Sequence, residues 1–178
     1  RFWSLMRFER FDTYFYQGGK PLAVFAARFA EQELPLLEGY FDEILDRPLQ
    51  LIVFNNINDL KQSNIGYDID ASYNIGGVTH IVGSKVFLYF NGNYTHFKQQ
   101  IRAGIAKVLL NRMMYGESLA SMVKNATLIE FPNWYMDGFV SYVSRPWDTE
   151  LDDFLRDGFM HGKFHRIYRL EGEDATMA

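Results

Sequence analysis

The chain has 178 residues, 48% of them hydrophobic and 17% aromatic, with a formal net charge of -4 and no cysteine. That is enough for one domain with a sizeable core, and the composition is that of a packed chain. It excludes disulfides and thiolate metal sites, and the chain has no basic tract of the kind that tracks phosphates and no apolar run near the ~20 residues of a membrane span.

Arg1 opens directly into structured-looking sequence, Phe2 to Met6, with no initiator Met or signal peptide, and the expectation is a fragment of a longer protein. Phe11 to Tyr16 alternates and is aromatic, which predicts a strand. Gln17 to Lys20 reads as a turn, and Pro21 suits the first turn of a helix. Leu22, Phe25, Ala26 and Phe29 recur at helical spacing. Pro35 is expected to kink or restart that helix, after which Leu36, Leu37, Tyr40, Phe41, Ile44 and Leu45 continue an apolar face.

Leu49 to Asn55 predicts a strong strand, and residues 56–77, rich in Asn, Asp, Ser and Gly, a long connection. Val78 to Val82 and Lys85 to Phe90 read as a hairpin joined at Gly83 and Ser84. Thr95 is the expected cap of a helix from about His96 to Tyr115, with Phe97, Ile101, Ile105, Val108 and Leu109 as its apolar stripe and Gly116 as its end. Further helices are expected over 119–128, from Pro132 through Trp134, Phe139 and Tyr142, and over 148–170. The order predicts an α+β fold: a small mixed sheet packed on helices, with a sheet-rich half at about 10–92 and a helical half at about 95–170 of one domain, 1–178.

Two segments carry the functional reading. Residues 101–110 read Ile-Arg-Ala-Gly-Ile-Ala-Lys-Val-Leu-Leu, and 131–142 read Phe-Pro-Asn-Trp-Tyr-Met-Asp-Gly-Phe-Val-Ser-Tyr. The first resembles the metal-binding helix of gluzincins, in which two His four residues apart hold zinc and the Glu after the first activates water. The second resembles the Pro-x-Trp-x-x-Glu-Gly element of the peptidase MA-like group, whose Glu is the third protein ligand. More narrowly, the chain resembles the N-terminal domain of large Bacteroidetes envelope proteins termed TolB-like. There, a peptidase-like domain precedes a β-propeller of WD40-like repeats. Asn64 to Gly66, Gln99 to Gly104, Met113 to Gly116 and Pro132 to Tyr135 carry that narrower match, over roughly residues 10–160.

The resemblance implies a zincin-like, thermolysin-like fold with a degenerate site. The first His position falls on Ala103, the general base on Gly104, the second His on Lys107 and the third ligand on Asp137. An alkyl group, a hydrogen and an ammonium bring no lone pair to a metal. The expectation is therefore no catalytic residue, no metal and no cofactor: a pseudoenzyme. Lys107 and Asp137 are expected to form an ion pair in the metal's place and hold two helices in register.

The resemblance also implies that Lys85 to Gly92 is the edge strand beside the cleft. A protein or peptide partner would then add along Val86, Leu88 and Phe90, with Trp134 and Tyr135 in the cleft wall. The implied setting is a bacterial cell envelope with a propeller downstream, no nucleic acid and no membrane span in this segment. The alternatives are an enzyme of another class reusing the cleft through Lys107 and Asp137, with Tyr135 or Tyr142, and a purely structural domain packed on the propeller. Other residues have plainer readings. His80 and His96 are surface or capping residues. His161 and His165, spaced i,i+4, and Asp152 with Asp153 belong to solvated faces. Asn93-Tyr-Thr and Asn125-Ala-Thr match glycosylation acceptors by a pattern common by chance.

Overall fold

A computed structural model describes residues 2–63, 80–116 and 133–162. Its five strands are β1 (Trp3–Arg7), β2 (Phe11–Tyr16), β3 (Leu49–Phe54), β4 (His80–Val82) and β5 (Lys85–Tyr89). They form one mixed sheet in the order β1-β2-β3-β5-β4. The inner pairs β2–β3 and β3–β5 are parallel, and the outer pairs β1–β2 and β5–β4 are antiparallel. The described helices are α1 (Lys20–Phe41), α2 (Ile57–Lys61), α3 (Tyr94–Tyr115), α4 (Asn133–Ser144) and α5 (Thr149–Met160). The fold is α+β.

Period-two alternation assigns each strand's faces. Phe11, Leu49, Leu51, Val53, Val86 and Leu88 point to one side, where α1 and α3 bring Ala26, Ala30, Leu34, Phe97, Ile101 and Ile105 into one core. Each buried Leu or Phe contributes about 1.5–3 kcal/mol, so this layer dominates the stability. Tyr16, Phe54 and Phe87 point to the other side and pack with Leu60 of α2. Trp3 covers that smaller cluster, its ring edge-on to Tyr16 at 5.2 Å and to Phe54 at 5.3 Å.

Several expectations need correction. Residues 3–7 form a strand, although their sequence alone specifies no element type. The helix runs through Pro35 as one element. Pro35 denies Glu31 a backbone donor, but both residues are exposed, so water can satisfy the carbonyl, while buried Leu34 and Leu37 hold the chain on course. The helix ends at Phe41, where Asp42 adopts a left-handed conformation (φ 51°). Consequently Leu37, Phe41 and Leu45 are buried, whereas Leu36, Tyr40 and Ile44 face solvent.

Asn93, not Thr95, caps α3: its side chain accepts from the Thr95 and His96 N–H groups at 2.8 and 3.3 Å. Asn56 likewise caps the short α2 inside the expected long connection. The last described helix begins at its Asp148 cap and ends at Met160. The expected helix over 119–128, Asn125, His165 and most of the 56–77 connection lie outside the described residues.

Candidate functional site

Helix α3 carries Ala103, Gly104 and Lys107, the first three positions that the resemblance singles out, and its burial explains what each can do. Phe97, Ile101, Ile105, Val108 and Leu109 are all buried, as the stripe predicted. Ala103 is fully buried too, and Gly104 lies on the face that meets the sheet. A Cβ at Gly104 would stand 2.2 Å from the Val86 Cγ1 atom. Glycine is therefore what lets α3 lie this close to β5. A carboxylate at 104 has no room, and one forced in would be desolvated.

Lys107 shares a helical face with Ala103, four residues earlier. Its stem starts near the core, and its ammonium reaches the rim, with the side chain 31% exposed. There α4 brings Asp137, 38% exposed, and the two side chains form an ion pair at 3.0 Å between Nζ and Oδ1. The pair links two helices that are 30 residues apart in sequence at these positions.

Two arginines of α3, which sequence reasoning missed, do similar work. Arg102 donates from Nε to the Val143 carbonyl at 2.7 Å and pairs through Nη1 with Glu33, tying α3 to both α4 and α1. Arg112 donates from Nε to Glu43 at 2.6 Å and pairs through Nη1 with Asp46. The available signal was a charged residue inside an otherwise apolar helix, Ile-Arg-Ala-Gly-Ile-Ala, but its partners lie in distant segments. At the start of β3's approach, Glu38 of α1 performs the complementary task. It is buried and accepts from Arg10 Nη2 at 2.6 Å and from the Leu45 N–H at 2.7 Å.

The proposed cleft residues fare differently. Strand β5 is interior: β3 pairs with one side of it, and β4 pairs with residues Lys85 to Phe87 on the other. Val86 and Leu88 are buried at 2% and 1% exposure, so neither offers a side chain to a partner. Phe90 is half-buried against Tyr94 and Phe97. The edge beside α3 is β4, whose three residues make the hairpin turn back over β5 and remove its edge character. Beyond that hairpin pairing, Gln100 of α3 takes over. It is fully buried; its Oε1 accepts from the Tyr89 N–H at 3.1 Å, and its Nε2 donates to the Tyr89 carbonyl at 2.8 Å. A side-chain amide thus does what a neighbouring strand would do for that residue.

The Gln100 Nε2 also lies 3.0 Å from His96 Nδ1. Because the amide nitrogen can only donate, Nδ1 must accept, and the imidazole is neutral there. Burial pushes the His96 pKa down from its ordinary 6.5. His96 is therefore a half-buried hydrogen-bond acceptor at the first turn of α3, not a surface or capping residue. Tyr135 on α4 is 49% exposed, and Tyr142 73%. The side chains of Trp134 and His80 lie outside the described residues, although each position falls within a described element. His161 pairs with Asp157, and Asp152 and Asp153 both face Arg156, as solvated faces do.

Among the described residues, no three His, Asp or Glu side chains converge in a way that would hold a metal ion. At the positions that the resemblance singles out, Ala103 and Gly104 bring no donor atoms and Lys107 brings a cation, so the residues present do not fit zinc. No helix of the described residues is long and apolar enough to cross a membrane. No family model matches the chain, and neither a curated protein nor a solved structure matches it.

Proposed function

We propose that the chain is a non-catalytic, zincin-like domain of the gluzincin type, serving as an interaction or scaffolding module of a bacterial cell-envelope protein. The observation that carries this reading is the 3.0 Å contact between Lys107 and Asp137. By resemblance, those positions correspond to two metal ligands on two helices, and here a direct ion pair joins the helices. The packing of α1 and α3 on one face of a mixed sheet supports the same reading. So does Gly104, whose closeness to Val86 leaves no space for a general base.

A surface for partners is available elsewhere. Tyr142, Trp147, Phe159 and Met160, on the last two helices and the turn between them, are each more than half exposed. Exposed apolar side chains of this kind are candidates for cover by a protein partner. The alternative of a purely structural domain gains support from Gln100, because that side chain occupies the place beside Tyr89 where a peptide strand would pair. Both readings dispense with chemistry. An enzyme working through Lys107 lacks support, because the ammonium is held by a carboxylate and no further group orients it.

Metal analysis of protein purified from zinc-supplemented medium tests the proposal. Substoichiometric zinc, and no cleavage of unstructured protein substrates, is the expected outcome. Stoichiometric zinc bound through any residue of α3 would overturn it.

A further inference from the structure

On the outer side of α1, away from the Lys107–Asp137 pair, lies an open groove of about 420 Å³. Its floor is apolar: Val24, Phe25 and Phe29, with the two Phe rings stacked at 6.4 Å and an interplanar angle of 10°. Its rim is polar: Arg28 of α1 and Lys98 of α3 bring positive charge, and Gln32 of α1 brings a neutral amide. No acidic residue lines it, although the chain as a whole is negative.

The charge pattern on α3 makes this rim distinctive. Its other three cations are neutralised: Arg102 by Glu33, Lys107 by Asp137, and Arg112 by Glu43 and Asp46. Lys98 has no carboxylate partner among the described residues, and neither does Arg28. Lys98 instead rests with its Nζ 5.5 Å from the centre of the Phe29 ring. That contact holds the ammonium over the apolar floor, at modest cost in hydration.

We infer that this groove is a binding site for a small amphipathic carboxylate, an aryl or medium-chain alkyl acid. The volume lies in the range of small-molecule sites, roughly 300–1,000 Å³. The apolar tail would lie along Phe25, Phe29 and Val24. The carboxylate would meet Lys98 and Arg28, with the Gln32 amide as a further donor. Charge complementarity selects the acid over its neutral counterpart, and the lack of a counter-ion on the rim means that no internal pair must break first. The inference does not rest on the zincin reading, since none of the groove residues belongs to the degenerate site.

The test is a calorimetric titration of the full 178-residue chain with 4-phenylbutanoate and, separately, 4-phenylbutanamide. The acid should bind saturably at one site, and the amide more weakly by at least about fivefold. Arg28→Gln and Lys98→Gln, both at exposed positions, should each weaken the acid about threefold and leave the amide unchanged. Phe29→Leu should weaken both ligands, and circular dichroism checks that each variant folds. Equal binding of acid and amide would overturn the inference. So would binding of the acid that neither charge variant alters, or a groove found to be covered by a second copy of the chain in sedimentation experiments.

Discussion

One helix presents two very different environments within a single turn. At Gly104, α3 touches the sheet so closely that a methyl group would collide with Val86. At Lys107, the same helix meets α4 through an ion pair with both partners about one-third exposed. The first contact is steric and dry, and the second is electrostatic and wet. The difference teaches which part of this helix is fixed by packing and which part is held lightly. Close-packed interiors transmit the cost of a single added group, whereas exposed ion pairs have median worth near zero.

The most severe way to break this contrast is Gly104→Glu. It adds volume against Val86 and a carboxylate without a partner, and should cost more than about 4 kcal/mol or abolish folding, as read from urea unfolding. The combined variant Ala103→His, Gly104→Glu and Lys107→His should fail for the same reason. Gly104→Ala isolates the steric part. Overpacking of about 1–3 kcal/mol is offset by up to ~1 kcal/mol of helix propensity. Val86→Ala in the same chain should recover most of the loss, and strict additivity of the two changes would rule out the contact.

Next in size is Gln100→Ala, which leaves the Tyr89 N–H and carbonyl without their partner. A loss of about 2–4 kcal/mol is expected in the same unfolding measurement. A neutral result would show that water or another strand readily replaces the amide.

His96 gives a smaller, pH-dependent effect. Its pKa is lowered on folding, so the unfolded chain binds the proton more readily in the window below 6.5. Stability from this group is therefore fully present above 6.5 and declines as pH falls through the window towards the lowered value. His96→Gln, which retains an acceptor for Gln100, should flatten the stability profile between pH 7 and 5.5 relative to the parent chain. An unchanged slope would place the titration elsewhere.

The smallest effect belongs to the pair that carries the functional proposal. Lys107→Met should change stability by no more than about 1 kcal/mol, and a cycle with Asp137→Asn should give a coupling that shrinks at high salt. A coupling of several kcal/mol, insensitive to salt, would mean that this region is as rigidly fixed as the Gly104 seam.

Much of this was legible in the chain itself. Alternation marks β2, an apolar run marks β3, and Gly83 with Ser84 mark the hairpin turn. The apolar stripe of α3 gave its buried face residue by residue, because a period of 3.6 is a local property. The same spacing put Ala103 and Lys107 on one face, and the resemblance paired Lys107 with Asp137. Local pattern could not say which strand lies at an edge. Sheet order joins segments far apart in sequence, and β5 proved to be interior, so Val86 and Leu88 went to the core instead of to a partner. Nor could it show that Gly104 is glycine because Val86 stands opposite, or that Gln100 completes Tyr89. Those roles arise from close approach and from unsatisfied backbone groups, which exist only once α3 is laid on the sheet. The sequence by itself determined which residues stand at positions 103, 104, 107 and 137, because identity and spacing are local; the tertiary structure decided that Gly104 is held by packing against Val86 and that Lys107 meets Asp137 in a light ion pair, because both contacts join distant segments.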